Sequence, residues 1–161
     1  MLTKAYIPYK GYYSTPFCRW QGSMALDHAV VLAGNTAKRW MAEKAWNPEM
    51  FDFLILGMTI GQPHWFYASP WAAALVGAGE TPGMTISQAC TTSATCVFQA
   101  AMGIETGLYE NCLTLMTDRC SNGPHTVWPN PMGPGGEVIS ENWLMDNFNS
   151  DPNVGLKMIE T

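Results

Sequence analysis

The stretch Met84-Thr85-Ile86-Ser87-Gln88-Ala89-Cys90-Thr91-Thr92-Ser93-Ala94-Thr95-Cys96, continuing through Val97-Phe98-Gln99-Ala100-Ala101-Met102-Gly103-Ile104-Glu105-Thr106-Gly107, decides how the chain folds. Met84 to Ser87 reads as a short apolar strand, and a helix of small and apolar residues opens behind Cys90. Thr91, Thr92 and Ser93 suit a first helical turn, and Gly107 suits the stop. Cys90 is therefore expected at the positive end of a helix, where unpaired backbone N–H groups favour a thiolate over a thiol. Such placement lowers a cysteine pKa from about 8.5 into the range of roughly 3.5–7.5, which would make the sulfur a usable nucleophile. The competing reading is a small buried residue without chemistry, the usual condition of a free cysteine.

The same helix lacks a polar face, since Ala94, Cys96, Val97, Phe98, Ala100, Ala101 and Met102 cover all its sides. A helix that is apolar all round is buried all round. A sheet within this chain covers one side only, so a second layer is expected opposite it.

Outward from this unit, strands and helices alternate. Phe53-Leu54-Ile55-Leu56 reads as a fully buried strand, followed by the glycine-marked turn Gly57 to Pro63. A helix is expected over Ser69 to Val76, ending at Gly77 or Gly79, and a strand over Cys112 to Met116. Nearer the start, Ala5 to Tyr9 suggests a first strand, cut short by Pro8 and Gly11. Ser23 suggests the cap of a helix in which Leu26, Val30, Ala33, Ala37, Trp40 and Met41 recur at helical spacing to about Lys44. Continuous apolar strands alternating with helices argue for an α/β fold, a parallel-type sheet with helices on both faces. In such sheets function collects outside the carboxyl ends of the strands, which is where Cys90 falls. After Asp118 a Pro/Gly-rich segment runs through Asn122-Gly123-Pro124-His125 and Trp128 to Gly136, with a short helix expected near Trp143 to Phe148. The expected division is 1–117 as the α/β unit and 118–161 as a separate loop region.

Composition narrows the function classes. The 161 residues are 47% hydrophobic and 13% charged, which excludes disorder. A net charge of -5 without a basic run gives nucleic acid no partner surface. The cysteines (18, 90, 96, 112, 120) and histidines (28, 64, 125) lack metal-site spacing, and an odd cysteine count argues for reduced thiols in a cytoplasmic setting. The first residues lack the apolar block of a secretory signal, and glycines and prolines break the apolar middle too often for a membrane span.

Several segments resemble the thiolase (acetyl-CoA acetyltransferase) family, in its N-terminal portion. Thr15-Pro16-Phe17 with Gly22 is similar to the family's opening T-P-F…G. Asp52 to Gly57 resembles its second strand, Gly61-Gln62 its G-Q pair, and Gly79 to Pro82 its G-x-x-P turn. The block around Cys90 resembles the family's C-x-S-G segment, with Gly103 and Gly107 at its thirteen- and seventeen-residue spacing. Thr117-Asp118-Arg119 and Pro131-Met132-Gly133 resemble the start of its loop domain. Ser14, Ser87 and Ser93 depart from the family's Arg, Asn and Gly, and Ala89-Cys90-Thr91-Thr92-Ser93 also resembles the A-C-S-S-S of ketoacyl synthases. The Pro/Gly-rich segment favours the thiolase side.

The resemblance implies Cys90 as the nucleophile that carries an acyl group, in Claisen condensation or thiolytic cleavage of a 3-oxoacyl-CoA within lipid metabolism. It implies coenzyme A thioesters as substrates, no permanently bound cofactor, and a homo-dimer or tetramer. The family's fold is a five-layer arrangement that sandwiches the helix after the nucleophile. Its base, second cysteine and remaining oxyanion donor lie in motifs absent from this sequence. The chain is thus expected to be a fragment, inactive alone in thiolysis and exposing apolar surface. Two other readings stay open. One is a non-catalytic or partner-dependent thiolase-like subunit; the other is a cysteine hydrolase using His64 or His125 as base. His28 beside Asp27 reads as structural, Cys96 as core, and Cys18 and Cys120 as ordinary loop thiols.

Overall fold

A computed structural model describes residues 2–121, 123–132 and 135–160. In chain order these residues form α1 (Ala29–Glu43), β1 (Phe53–Gly57), α2 (Ala68–Val76), β2 (Gly83–Ile86), α3 (Thr92–Thr106) and β3 (Cys112–Met116). After them come β4 (His125–Trp128), β5 (Ile139–Asn142) and α4 (Trp143–Asn149).

β1 is the centre of a three-stranded sheet in the order β2-β1-β3, with both neighbours parallel to it. Its apolar run has the composition of a strand covered on both faces. The register sets Leu54 and Leu56 beside Leu113 and Leu115, and Phe53, Ile55 and Gly57 beside Cys112, Thr114 and Met116. Because side chains alternate along a strand, these two sets lie on opposite faces. The leucine face joins one core with Ala29, Val30, Ala37 and Met41 of α1 and Ala68, Ala72, Ala73 and Val76 of α2. The other face receives α3, and Tyr109 beyond it stacks on Phe53 with ring centroids 4.7 Å apart. The expected α/β layering, with helices on both faces of a parallel sheet, is therefore present.

Local signals placed most of these elements well. Gly77 and Gly107 end α2 and α3 in the left-handed conformation, φ 103° and 75°. Three expectations need correction. Ala5 to Tyr9 is not a strand: the segment is irregular, turns at Tyr9, is mostly exposed, and pairs with no strand of the described residues. It is pinned instead by Glu105, whose carboxylate accepts the N–H groups of Thr3, Lys4 and Ala5 at 2.6, 2.6 and 2.9 Å. α1 starts at Ala29, not at Ser23, because residues 21–27 form turns and the cap comes from across the fold. Ala29 N–H donates to Gln62 Oε1 at 2.8 Å, and the His28 ring holds Pro63 O at 2.7 Å. Finally, the Pro/Gly-rich region is not featureless, since β4 and β5 pair antiparallel ahead of the short helix α4.

α3 is covered on one side only. Thr92, Cys96 and Gly103 are buried against the sheet, while Val97 and Phe98 remain 40% and 58% exposed. No helix of the described residues is long and apolar enough to cross a membrane.

Candidate functional site

The loops after the carboxyl ends of β1, β2 and β3 meet on one side of the sheet, as parallel strands require. They bring Cys90 and Asp118 together on an open cavity of about 250 Å³, lined by Gly57, Ala89, Cys90, Thr92, Ser93, Met116, Thr117 and Asp118. Cys90 is exposed and sits in a single 3-10 turn, Ala89–Thr91, immediately ahead of α3. Its position at the amino end of that helix is the one read from the sequence.

The turn is held in an uncommon shape. Ala89 has φ 47°, a left-handed conformation that costs a residue with a Cβ about 1–3 kcal/mol and persists only where its surroundings impose it. Thr91 is the N-cap of α3 but makes no side-chain cap bond. Thr92 does the holding: its hydroxyl accepts Gln88 N–H at 2.8 Å and donates to the Ala89 carbonyl at 2.7 Å. The Thr59 hydroxyl lies 2.9 Å from Thr92 Oγ1 and 3.2 Å from the Ala89 carbonyl. Gly57 lies under this turn, where an added Cβ would stand 2.6 Å from Cys96 Sγ and 3.0 Å from Thr92 Cγ2. Only glycine lets α3 settle this close to the sheet.

Asp118 closes the opposite wall. Its Oδ1 accepts Ile60 N–H at 2.8 Å and Thr59 N–H at 3.1 Å, and its Oδ2 lies 3.2 Å from Thr59 N. Packing against the cavity wall raises its carboxyl above the ordinary aspartate range, an effect those amides only partly offset. The neighbours of Asp118 extend the clamp to α1, with the Thr117 hydroxyl donating to Ala29 O at 3.1 Å and Arg119 Nη1 to Asp27 O at 3.2 Å. The Cys120 thiol is pushed up by burial first, then by the nearby Asp118 and Cys90 charges.

The remaining candidates lie elsewhere. Cys96 is fully buried, and burial raises its thiol, as a core residue requires. Cys18 is exposed, its sulfur 3.3 Å from Ser23 Oγ. His28 caps α1 and packs on Trp71, a structural role. His64 starts a short 3-10 turn in the left-handed region and His125 begins β4; both are exposed, and neither lines the cavity. The hydrolase reading thus finds no histidine beside Cys90. Pro131 and Met132 are described, whereas Gly133 of the same motif lies outside the described residues. Reading the sequence gave Thr92 only as a first-turn residue and Asp118 only within the Thr117-Asp118-Arg119 resemblance, and did not single out Thr59. The available signal was an acid at the end of an apolar strand, in a chain with few charges.

The α/β sheet, with its cysteine turn at the carboxyl ends of the strands and an apolar helix behind it, has the fold of solved thiolases. The chain is similar in structure to the acetyl-CoA acetyltransferase of Bacillus anthracis, with TM-score 0.70 and 22% identity over 86% of this chain and 36% of that one. It is also similar to human mitochondrial 3-ketoacyl-CoA thiolase, in complex with CoA (TM-score 0.75, 24% identity) and in a second crystal structure (0.74, 23%). Each of those two matches covers 90% of this chain and 38% of the other. The chain thus spans little more than a third of the length of the thiolases it matches. No protein-family model matches the chain, and no curated protein sequence matches it.

Proposed function

We propose that this chain carries the nucleophile of a thiolase-type acyl-CoA acyltransferase, with Cys90 as the residue that holds the acyl group. The observation that supports the reading most is the placement of Cys90: open to solvent, on a left-handed turn ahead of α3, in a thiolase fold. In the first half-reaction the Cys90 sulfur attacks the carbonyl carbon of an acyl-CoA thioester. The bond from that carbon to the CoA sulfur breaks, CoA leaves and takes up a proton, and an S-acyl cysteine remains. In the second, another CoA thioester loses an α-proton and its carbon attacks the acyl carbon; the bond to the Cys90 sulfur breaks, the sulfur regains a proton, and a 3-oxoacyl-CoA is released. The reverse direction cleaves a 3-oxoacyl-CoA and passes the acyl group from Cys90 to CoA. The substrates are CoA thioesters, and neither half needs a resident cofactor. Backbone N–H groups at the start of α3 are donors of the kind that stabilise a thioester oxyanion.

The test is CoA release on mixing the protein with acetyl-CoA, read by chromatography. A stoichiometric burst is expected, slowed by at least about 1,000-fold in Cys90→Ala. Continuous release matched by free acetate, with no 3-oxoacyl-CoA formed, would mark hydrolysis and contradict transfer, as would an unchanged burst in the variant.

A further inference from the structure

We propose that Asp118 and Thr59 form a positioning bridge that fixes the Cys90 turn for acyl transfer, so that a carboxylate at the end of β3 sets the geometry of a sulfur following β2. The inference rests on the reading of Cys90 as the acyl carrier.

The bridge has three spans, each set by a different strand. Asp118, two residues beyond β3, grips the N–H groups of Thr59 and Ile60 at 2.8 to 3.2 Å. That grip fixes the backbone of Thr59, two residues beyond β1, and so aims its hydroxyl. The hydroxyl reaches Thr92 Oγ1 at 2.9 Å and the Ala89 carbonyl at 3.2 Å. Thr92 in turn ties Gln88 N–H and the Ala89 carbonyl together across the turn. Ala89 is the residue held at φ 47°, and it directly precedes Cys90. A strained turn keeps its shape only while its surroundings impose it. Ala89 has no side-chain polar group of its own, so the hydroxyls of Thr59 and Thr92 supply that constraint. Neither Asp118 nor Thr59 is assigned any contact with substrate; both act through Ala89. Attack on a thioester carbonyl is sensitive to direction, and a displacement of about 1 Å costs on the order of 100-fold. Alkylation by a small reagent such as iodoacetamide has no bound substrate to meet, and so tolerates the same displacement.

The experiment compares Thr59→Val, Thr59→Ser and Asp118→Asn with the wild-type protein, each checked for native circular dichroism. Three readouts are taken: acylation of Cys90 by acetyl-CoA, its alkylation by iodoacetamide, and hydrogen exchange over residues 88–92. Thr59→Val, which keeps the shape and loses the hydroxyl, is expected to slow acylation by about 10- to 100-fold. Its alkylation rate should stay within about 3-fold, and Thr59→Ser should restore acylation to within the same factor. Asp118→Asn should speed exchange at residues 88–92 although it touches none of them. If acylation in Thr59→Val equals that of a wild type that is itself acylated, the bridge is wrong while the acyl-carrier reading stands. Acylation and alkylation falling together, or exchange at 88–92 unchanged in both Thr59→Val and Asp118→Asn, also overturns the bridge. A wild type that takes no acyl group overturns the acyl-carrier reading and this role with it.

Discussion

At the scale of single residues, the five cysteines separate by environment. Cys96 is fully buried, and Cys112, half-buried at the start of β3, has its thiol pushed up to about 12 by burial first and then by the Asp52 charge. A thiol titrating near 12 is about one part in 10,000 thiolate at pH 8, so it neither attacks nor oxidises readily. Iodoacetamide at pH 8 should therefore label Cys18 and Cys90 first, Cys120 more slowly, and Cys96 and Cys112 only on unfolding; peptide mapping reads the order. Gly57 gives a second prediction at this scale. Gly57→Ala drives a methyl into Cys96 and Thr92. It should destabilise the protein by about 1–3 kcal/mol in urea denaturation, as overpacked cores do. The place of Cys90 ahead of α3 was legible in the sequence because its signal is local: an apolar strand, a cysteine, small first-turn residues and a spaced glycine. The pairing of Asp118 with Thr59 was not, because it joins positions far apart in sequence through strand order, which one-dimensional spacing does not contain.

At the scale of elements, the legible ones were those whose causes lie within themselves. β1, β3, α2 and α3 each carry their own apolar run and their own stop, and the structure places them within a residue or two of expectation. The start of α1 was not legible, because its cap is Gln62 reaching in from the loop after β1. Ala5 to Tyr9 has strand-like residues but no neighbouring strand to bond, and pairing rather than propensity makes a strand. Two aspartates hold the β1–β3 pair at its two ends. Asp52 accepts Glu110 N–H and Asn111 N–H at 2.7 and 3.0 Å, while Asp118 grips Thr59 and Ile60 at the other end. The N-terminal segment depends on one carboxylate. Glu105 is lowered to about 2 by the N–H groups of Ala5 and Lys4, with Thr3 adding less. A carboxylate whose folded pKa lies below its unfolded value stabilises the structure above the unfolded pKa, and that stabilisation is lost as pH falls through the folded value. Amide exchange at Thr3 to Ala5 should thus be unchanged from pH 8 to 5 once intrinsic rates are corrected, and lose protection between about pH 4.5 and 2. Glu105→Gln should remove most of the protection at pH 7. Protection that persists in the variant would mean that other contacts hold the segment.

At the scale of the whole molecule, the outer face of α3 dominates. Val97, Phe98 and Met102 are 40%, 58% and 37% exposed, and Leu108 just beyond the helix is 79% exposed. Most exposed residues of α3 are apolar, with Ser93, Gln99 and Thr106 the polar ones, which is why a second covering layer was expected, and the described residues cover the helix chiefly on the sheet side. Contiguous apolar surface of this kind binds dyes and partners. The chain studied by itself should enhance the fluorescence of an apolar dye, and Val97→Lys with Phe98→Glu should reduce that signal without loss of helix content. Dye silence in the unaltered chain would mean that this face is covered in solution. The central claim concerns one sulfur, so its most direct measurement is mass-spectrometric mapping of the cysteines of the full-length protein after brief exposure to acetyl-CoA and acid quench. The account predicts a single acetyl group on Cys90, labile to hydroxylamine and removed by added CoA. An unmodified Cys90, or an acetyl group on Cys18 or Cys120 instead, would contradict it.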